Sequence, residues 1–234
     1  MANPKRSTGK ANHPAKGASA SMVYDRLKIE ILEMRLAPGA VLEEAEISNR
    51  LNVSRSPVRE AVIRLVSEGL VESIRNRGAL VARFDFDALP AYFDALKIAY
   101  RLNSRLAAEK GGDQPANALQ AEEVRHRAAR EEKEALGIIR ENRAFHDLLA
   151  EIGGNKWFRG WQSALLDQGQ RIMGLYLHND GKLEEVYYHR AIIDAVRSRD
   201  VDAADAAAAK DAEIVHRAVN NFMGTSRLGN MSHL

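Results

Sequence analysis

YDRLKIEILEMRLAPGAVLEEAEISNRLNVSRSPVREAVIRLVSEGLVESIRNRGALVARF, residues 24–84, is the most informative segment of this 234-residue chain. From about Ser21, Val23, Leu27, Ile31 and Met34 recur at helical spacing, and Pro38-Gly39 stops that helix. A second, short helix follows. Glu43 and Glu44 sit in its first turn, where the helix dipole favours acids, and Ile47 and Leu51 form its apolar face. Asn52 suits the left-handed conformation of a helix stop. A third helix opens within two residues. Ser54 or Ser56 can cap it, Pro57 fits its first turn, and Val58, Ala61, Val62 and Leu65 give it a core face before Gly69. Two short β-prone runs, 70–74 and 79–82, then flank Arg75-Asn76-Arg77-Gly78, a turn composition.

Helix, helix, tight turn, helix and hairpin is the winged variant of helix-turn-helix. On the third helix Ser56, Arg59 and Ile63 face away from the core side, with Arg55 at the flank near the N-terminus. That N-terminus offers free N–H groups to a phosphate. Arginine is the side chain suited to the paired acceptors of guanine in the major groove. Arg75 and Arg77 at the hairpin tip can reach phosphates or the minor groove. Charge agrees: the net +2 of the chain divides into +5 for residues 1–84 and −3 for residues 85–234. A basic front on an acidic back points to a polyanion-binding module joined to something else.

Outside that module, residues 1–20 lack any aromatic, acid, Leu, Ile or Val and read as a disordered basic tail. Cysteine is absent, which excludes a disulfide scaffold, a thiolate zinc site and a cysteine nucleophile, and fits a cytoplasmic protein. No apolar run approaches the ~20 residues that span a bilayer. From Asp85 the pattern is helical throughout, giving a mostly α chain whose second domain, 85–222, is an all-α bundle. Helices are expected near 86–110, 115–135, 137–152, 155–177, 184–198 and 201–222, with a frayed tail over 223–234.

Three of these helices carry polar groups on apolar faces. Asn142 and His146 lie four apart on the side of Ile138 and Leu149. His189 shares a face with Ile192, Ile193 and Val196. Asp211 is in register with Ala204, Ala208 and Val215, whereas His216 turns off that face. Asn142, His146, His189 and Asp211 can therefore converge in one interior site. Two imidazoles, a carboxylate and an amide oxygen suit Zn, Ni, Mn or Fe(II) with positions left open for a ligand. Hydrogen-bonded core residues, or a pocket holding an acid directly, are the alternatives.

Residues 24–84 resemble the winged helix of GntR-type bacterial transcriptional regulators, in the APG turn, VSRSPVREA, EGLV and RGALV. The resemblance implies a homodimer on a near-palindromic double-stranded DNA operator. It implies Ser54, Arg55, Ser56, Pro57 and Arg59 at base edges and phosphates, and Arg75, Asn76, Arg77 and Gly78 at the wing. Some members carry a DNA-touching arginine early in the second helix; here that position is Ala45. NRAFHDLLAEIGGN and YYHRAIIDAVRSRDVDAADAAAAKDA are similar to the helical effector domain, FCD, of the FadR subfamily. Many such domains hold a divalent metal with an Asp and a His four apart and two further histidines. Those positions fall on Asn142, His146, His189 and Asp211, so the first and last depart from the pattern. Arg101 and Arg171 are further candidates for gripping a ligand carboxylate.

The function expected is a metabolite-responsive transcriptional regulator, a repressor, whose effector is a small organic acid or sugar acid. A metal-dependent hydrolytic domain fused to a DNA-binding module is the enzymatic alternative. The only carboxylate of the cluster is then occupied as a ligand, and no GxSxG or phosphate loop is present. A ligand-free architectural DNA binder is the third class, against which the polar interior argues.

Overall fold

The computed structural model describes residues 16–74, 78–178 and 188–224. These form two compact units. The first takes the described part of Met1–Ile29 together with Val41–Leu80, and the second takes Glu30–Ala40 and Val81–Leu234.

The first helix, α1 (Lys16–Leu32), starts five residues before the expected Ser21. Ala18, Ser19 and Ala20 are compatible with helix and nothing breaks it there. The expected disordered tail therefore ends earlier, and its first fifteen residues lie outside the described ones. Next come β1 (Val41–Leu42), α2 (Glu44–Leu51), α3 (Arg55–Ser67), β2 (Val71–Ile74) and β3 (Gly78–Val81). The sheet order is β1-β3-β2, with Val41 opposite Leu80 and Leu42 opposite Ala79 in an antiparallel pair. The third strand was not expected, since two residues are too few to show a period of two.

The turn between α2 and α3 is fixed locally. Asn52 adopts φ 51°, its N–H donates to the α2 carbonyls of Asn49 and Ser48, and the Ser48 hydroxyl donates to Val53 O at 2.6 Å. Gly69, at φ +70°, turns the chain out of α3. Val23, Leu27, Val58, Leu65 and Leu70 are fully buried and make the core of this unit.

The second unit is built from α4 (Leu89–Glu109), α5 (Asp113–Glu131), α6 (Ala135–Gly153), α7 (Lys156–His178), α8 (His189–Ser198) and α9 (Val201–Gly224). Each begins within a few residues of its expected place, except that residues 184–187 of the fifth lie outside the described ones. So do residues 225–234 of the expected frayed tail. Helix α4 is central and packs on α6, α7, α8 and α9, while α5 packs on α6 and α8. The sequence explains its position. Leu89, Phe93, Leu96, Tyr100, Asn103 and Ala107 repeat at three- and four-residue intervals and are all buried.

The α4–α5 connection needs glycine. A Cβ on Gly111 would sit 1.9 Å from Val196 O, and Gly112 adopts φ +130° while its N–H donates to the same carbonyl at 3.0 Å. This contact seats α8 against α4 and α5. Among the described residues no helix is long and apolar enough to cross a membrane.

Candidate functional site

Ser54, Arg55, Ser56 and Arg59 are all exposed at the N-terminal end of α3, and Ile63 beside them is 62% exposed. Ser54 occupies the cap position in extended conformation without a side-chain cap bond, so its hydroxyl does not take up the first N–H groups of the helix. The Ser56 hydroxyl donates to Glu60 at 3.1 Å. Pro57 differs from the expectation: it is buried with Val58, so it shapes the helix start and does not offer its side chain to DNA. Arg59 makes a two-bond pair with Glu44 of α2, Nε to Oε1 at 3.1 Å and Nη2 to Oε2 at 3.0 Å. This hydrogen bonding holds the Glu44 carboxyl below its ordinary range. Gly78 is exposed at the start of β3, while Arg75, Asn76 and Arg77 lie outside the described residues.

In the second unit, His146 from α6, His189 at the first position of α8 and Asp211 from α9 are buried together. Their donor atoms lie within 4.8 Å of one another. His146 Nε2 is 3.3 Å from Asp211 Oδ2, and His189 Nε2 is 3.8 Å from the same oxygen. Donors bound to one metal at ~2.0–2.2 Å stand about 3–4 Å apart, and both separations from Asp211 Oδ2 are of that size. Nδ1 of His146 is buried with no hydrogen-bond partner among the described residues.

Two aromatic rings hold the imidazoles. Tyr100 stacks on His146 at 3.8 Å between ring centres, and Phe145 stacks on His189 at 3.9 Å. Burial pushes the His146 imidazolium down to about 4, so this ring is neutral and able to ligate at pH 7. Burial alone would raise the Asp211 carboxyl. Its contacts with His189 and His146 and the Tyr188 N–H, which donates to Oδ1 at 3.2 Å, together hold it below the usual range.

Two residues of this neighbourhood escaped the sequence reading. Glu123 and His126 of α5 come up beneath His189: Glu123 Oε2 lies 2.6 Å from His189 Nδ1 and 3.6 Å from His126 Nδ1. A separation of 2.6 Å is a hydrogen bond and leaves no room for an ion between the two atoms. Glu123 therefore fixes His189 as the Nδ1–H tautomer and turns its Nε2 lone pair toward Asp211, the outer-shell carboxylate role known from metal sites. Burial raises the Glu123 carboxyl less than the two histidines beside it, His126 and the hydrogen-bonded His189, lower it, and it rests at about 2. The signal was present in the sequence. Ala116, Leu119, His126 and Ala129 form the buried stripe of α5, and Glu123 falls in the same stripe, four residues after Leu119.

Tyr100 is also a wall of a cavity of about 50 Å³, shared with Tyr92, Leu96, Asn142, Arg143 and Met173. Asn142 lies one turn from His146 and faces this cavity beside Tyr100. The guanidinium of Arg143 is taken up by Asp147 at 3.1 Å, Asp167 at 2.5 Å, Gln170 at 3.0 Å and Ser163 at 3.0 Å. The two arginines expected to grip an acid have other partners. Arg101 is 46% exposed and bonds Asp205 at 2.7 Å. Arg171 is buried, donates to Ala82 O and to Gln168, and lies over the Phe84 ring at 4.8 Å. Helical periodicity places each arginine on its helix but does not give the direction of its side chain. His216 stacks on Phe93 at 4.5 Å, apart from the cluster, as its register requires.

A winged helix-turn-helix with an open arginine-bearing helix, followed by an all-α domain with buried polar donors, defines a DNA-binding regulator with a sensing domain. Comparison with known proteins names the group. Residues 19–81 match the model for bacterial regulatory proteins of the gntR family, and residues 101–214 match the FCD domain. The chain belongs to the GntR family and is a transcriptional regulator, not an enzyme.

Among its relatives, the HTH-type transcriptional repressor NanR of Citrobacter rodentium is 33% identical over 223 residues, covering 84% of both chains. An uncharacterized HTH-type transcriptional regulator from an unstable DNA locus of Streptomyces ambofaciens is 34% identical over 182 residues, 76% of this chain and 75% of the relative. The same fold is seen in Escherichia coli McbR/YncC, with a TM-score of 0.75 at 20% identity, covering 88% of this chain and 98% of that one.

Proposed function

We propose that this regulator is a repressor that binds a near-palindromic operator as a homodimer in the cytoplasm and releases it in response to a small organic acid. The observation that carries this reading is the convergence of His146 Nε2, His189 Nε2 and Asp211 Oδ2 inside the FCD domain. A divalent metal held by His146, His189 and Asp211, with Asn142 as the remaining protein donor, would supply a Lewis-acidic centre for a carboxylate. The local charges favour this. The Arg143 guanidinium is already balanced by Asp147 and Asp167, so a metal is what would make the site attractive to an anion.

In the DNA-binding unit, Ser54, Arg55, Ser56 and Arg59 of α3 would meet bases and phosphates in the major groove, with the wing, Arg75 to Gly78, on the backbone. Two copies are needed because a single winged helix covers one half-site. Effector binding can move operator affinity only by its differential affinity for the two arrangements of the dimer. A coupling of about 1–3 kcal/mol changes DNA binding roughly 5- to 150-fold. The test is operator titration with a panel of organic and sugar acids, in metal-loaded and chelated protein. Release that needs the metal supports the reading. Release that survives both chelation and His146→Ala overturns the metal part of it.

A further inference from the structure

The N-terminal half of α7 carries an uncovered aromatic face. Trp157 is 76% exposed and Trp161 is 39% exposed, and these are the only two tryptophans of the chain. The remaining large exposed apolar side chains of the helical unit, Ile98, Val124 and Leu136, each stand on a different helix. Trp157, Gly160, Trp161 and Ala164 lie at i, i+3, i+4 and i+7, hence on one face, and all four are exposed. A Cβ added to Gly160 would have nothing within 4 Å.

We infer that this face is the contact through which a second copy of the chain docks, α7 against α7 about a two-fold axis. The inference rests on the homodimer reading above and gives it a location. A two-fold contact must be complementary to itself, and this face carries both halves of the fit. Two antiparallel copies centred between residues 160 and 161 set Trp157 over Ala164 of the partner subunit and Trp161 over the partner subunit's Gly160. The bulky ridge of each helix then meets the small-residue groove of the other.

Area supports a protein partner of this size. The two indoles still expose roughly 200–300 Å² per chain, a quarter to a third of the ~800 Å² that each partner contributes to a standard interface. Tryptophan is also the residue that most often dominates such contacts. Arg159 at the rim is paired with Glu151 at 3.1 Å, so the face approaches its copy with that charge already balanced.

Sedimentation of the full chain, with intrinsic fluorescence recorded across the same dilution series, tests this. Wild type is expected to dimerise, and tryptophan emission is expected to shift to the red on dilution with the same midpoint, because both fluorophores lie in the contact. Gly160→Leu has open space in the single chain and should fold normally, yet it fills the groove; its dissociation constant should rise roughly 30-fold or more. Trp157→Ser with Trp161→Ser should behave alike. A Gly160→Leu chain that dimerises as wild type does, or emission that ignores the monomer–dimer transition, overturns this location while leaving the homodimer standing. A wild-type monomer at every accessible concentration overturns both.

Discussion

Arg59 and Glu44, fifteen residues apart on α3 and α2, form a side-on two-bond pair through Nε and Nη2 of the arginine. Glu44 thereby fixes the direction of a guanidinium whose side chain is 66% exposed, and leaves the Nη1–Nη2 end, with Nη1 and the second N–H of Nη2, outside this pair. That end is the one with the spacing to meet the O6 and N7 acceptors of a guanine.

The pair sets the first prediction. Arg59→Ala should cost about 1–3 kcal/mol of operator binding and relax sequence preference at one base pair. Glu44→Gln should weaken discrimination between operator and mutated operator more than it weakens binding to random DNA. Fluorescence anisotropy at several salt concentrations reads both. If Arg59→Ala weakens all sequences equally and reduces the salt slope by about one, Arg59 is a phosphate contact instead.

Metal content is the second. Protein purified without chelator should carry about one divalent ion per chain by elemental analysis, and His146→Ala should lose it while keeping operator affinity in the absence of effector. Substoichiometric metal, together with an effector response that survives both His146→Ala and His189→Ala, would leave these residues as hydrogen-bond partners of an acid or of one another.

Glu123 supplies the third. Glu123→Gln can still accept from His189 Nδ1–H but without the negative charge, so metal affinity should fall about 10- to 100-fold with the fold intact. Competition titration against a chromogenic chelator measures it. Unchanged affinity would reduce Glu123 to a packing role.

The fourth concerns acid. In metal-free protein His146 holds its proton only near pH 4, whereas in the unfolded chain it titrates near 6.5. Below 6.5 the unfolded state therefore binds a proton that the native state refuses, and stability falls as pH drops toward 4. Glu123 acts in the same direction over a lower window. Its folded value of about 2 lies under the unfolded 4.5, so the stability it contributes is present above 4.5 and lost as pH falls toward 2. Thermal midpoints of chelated protein should decline between pH 7 and 4.5, and His146→Leu should flatten that slope. A slope that His146→Leu leaves unchanged would assign the acid sensitivity elsewhere.

Much of this protein was legible in the order of its residues. The left-handed stop at Asn52, the core face of α3 and the helical stripes of α4, α6 and α9 follow from short-range sterics and from a 3.6-residue period, both of which act within a few positions of sequence. The same local rules placed His146, His189 and Asp211 on inward faces. They were blind to β1, which exists only because β3 lies beside it, and it was the family resemblance that counted Pro57 among the DNA-facing residues, although its side chain is buried.

Only the tertiary structure decided who meets whom. Glu123 reaches His189 across 66 residues, Arg101 turns to Asp205 across 104, and Arg171 reaches Ala82 across 89. The period of a helix gives each side chain a face, but the rotation and axial shift of one helix against another set which two faces touch. Those are fixed by packing the whole core at once. The sequence determined that this chain has a helix-turn-helix module and polar groups buried in a helical bundle. The packing of α5, α6, α8 and α9 decided that the polar groups form one set of donors with an oriented histidine, and that the arginines expected to serve them face other partners.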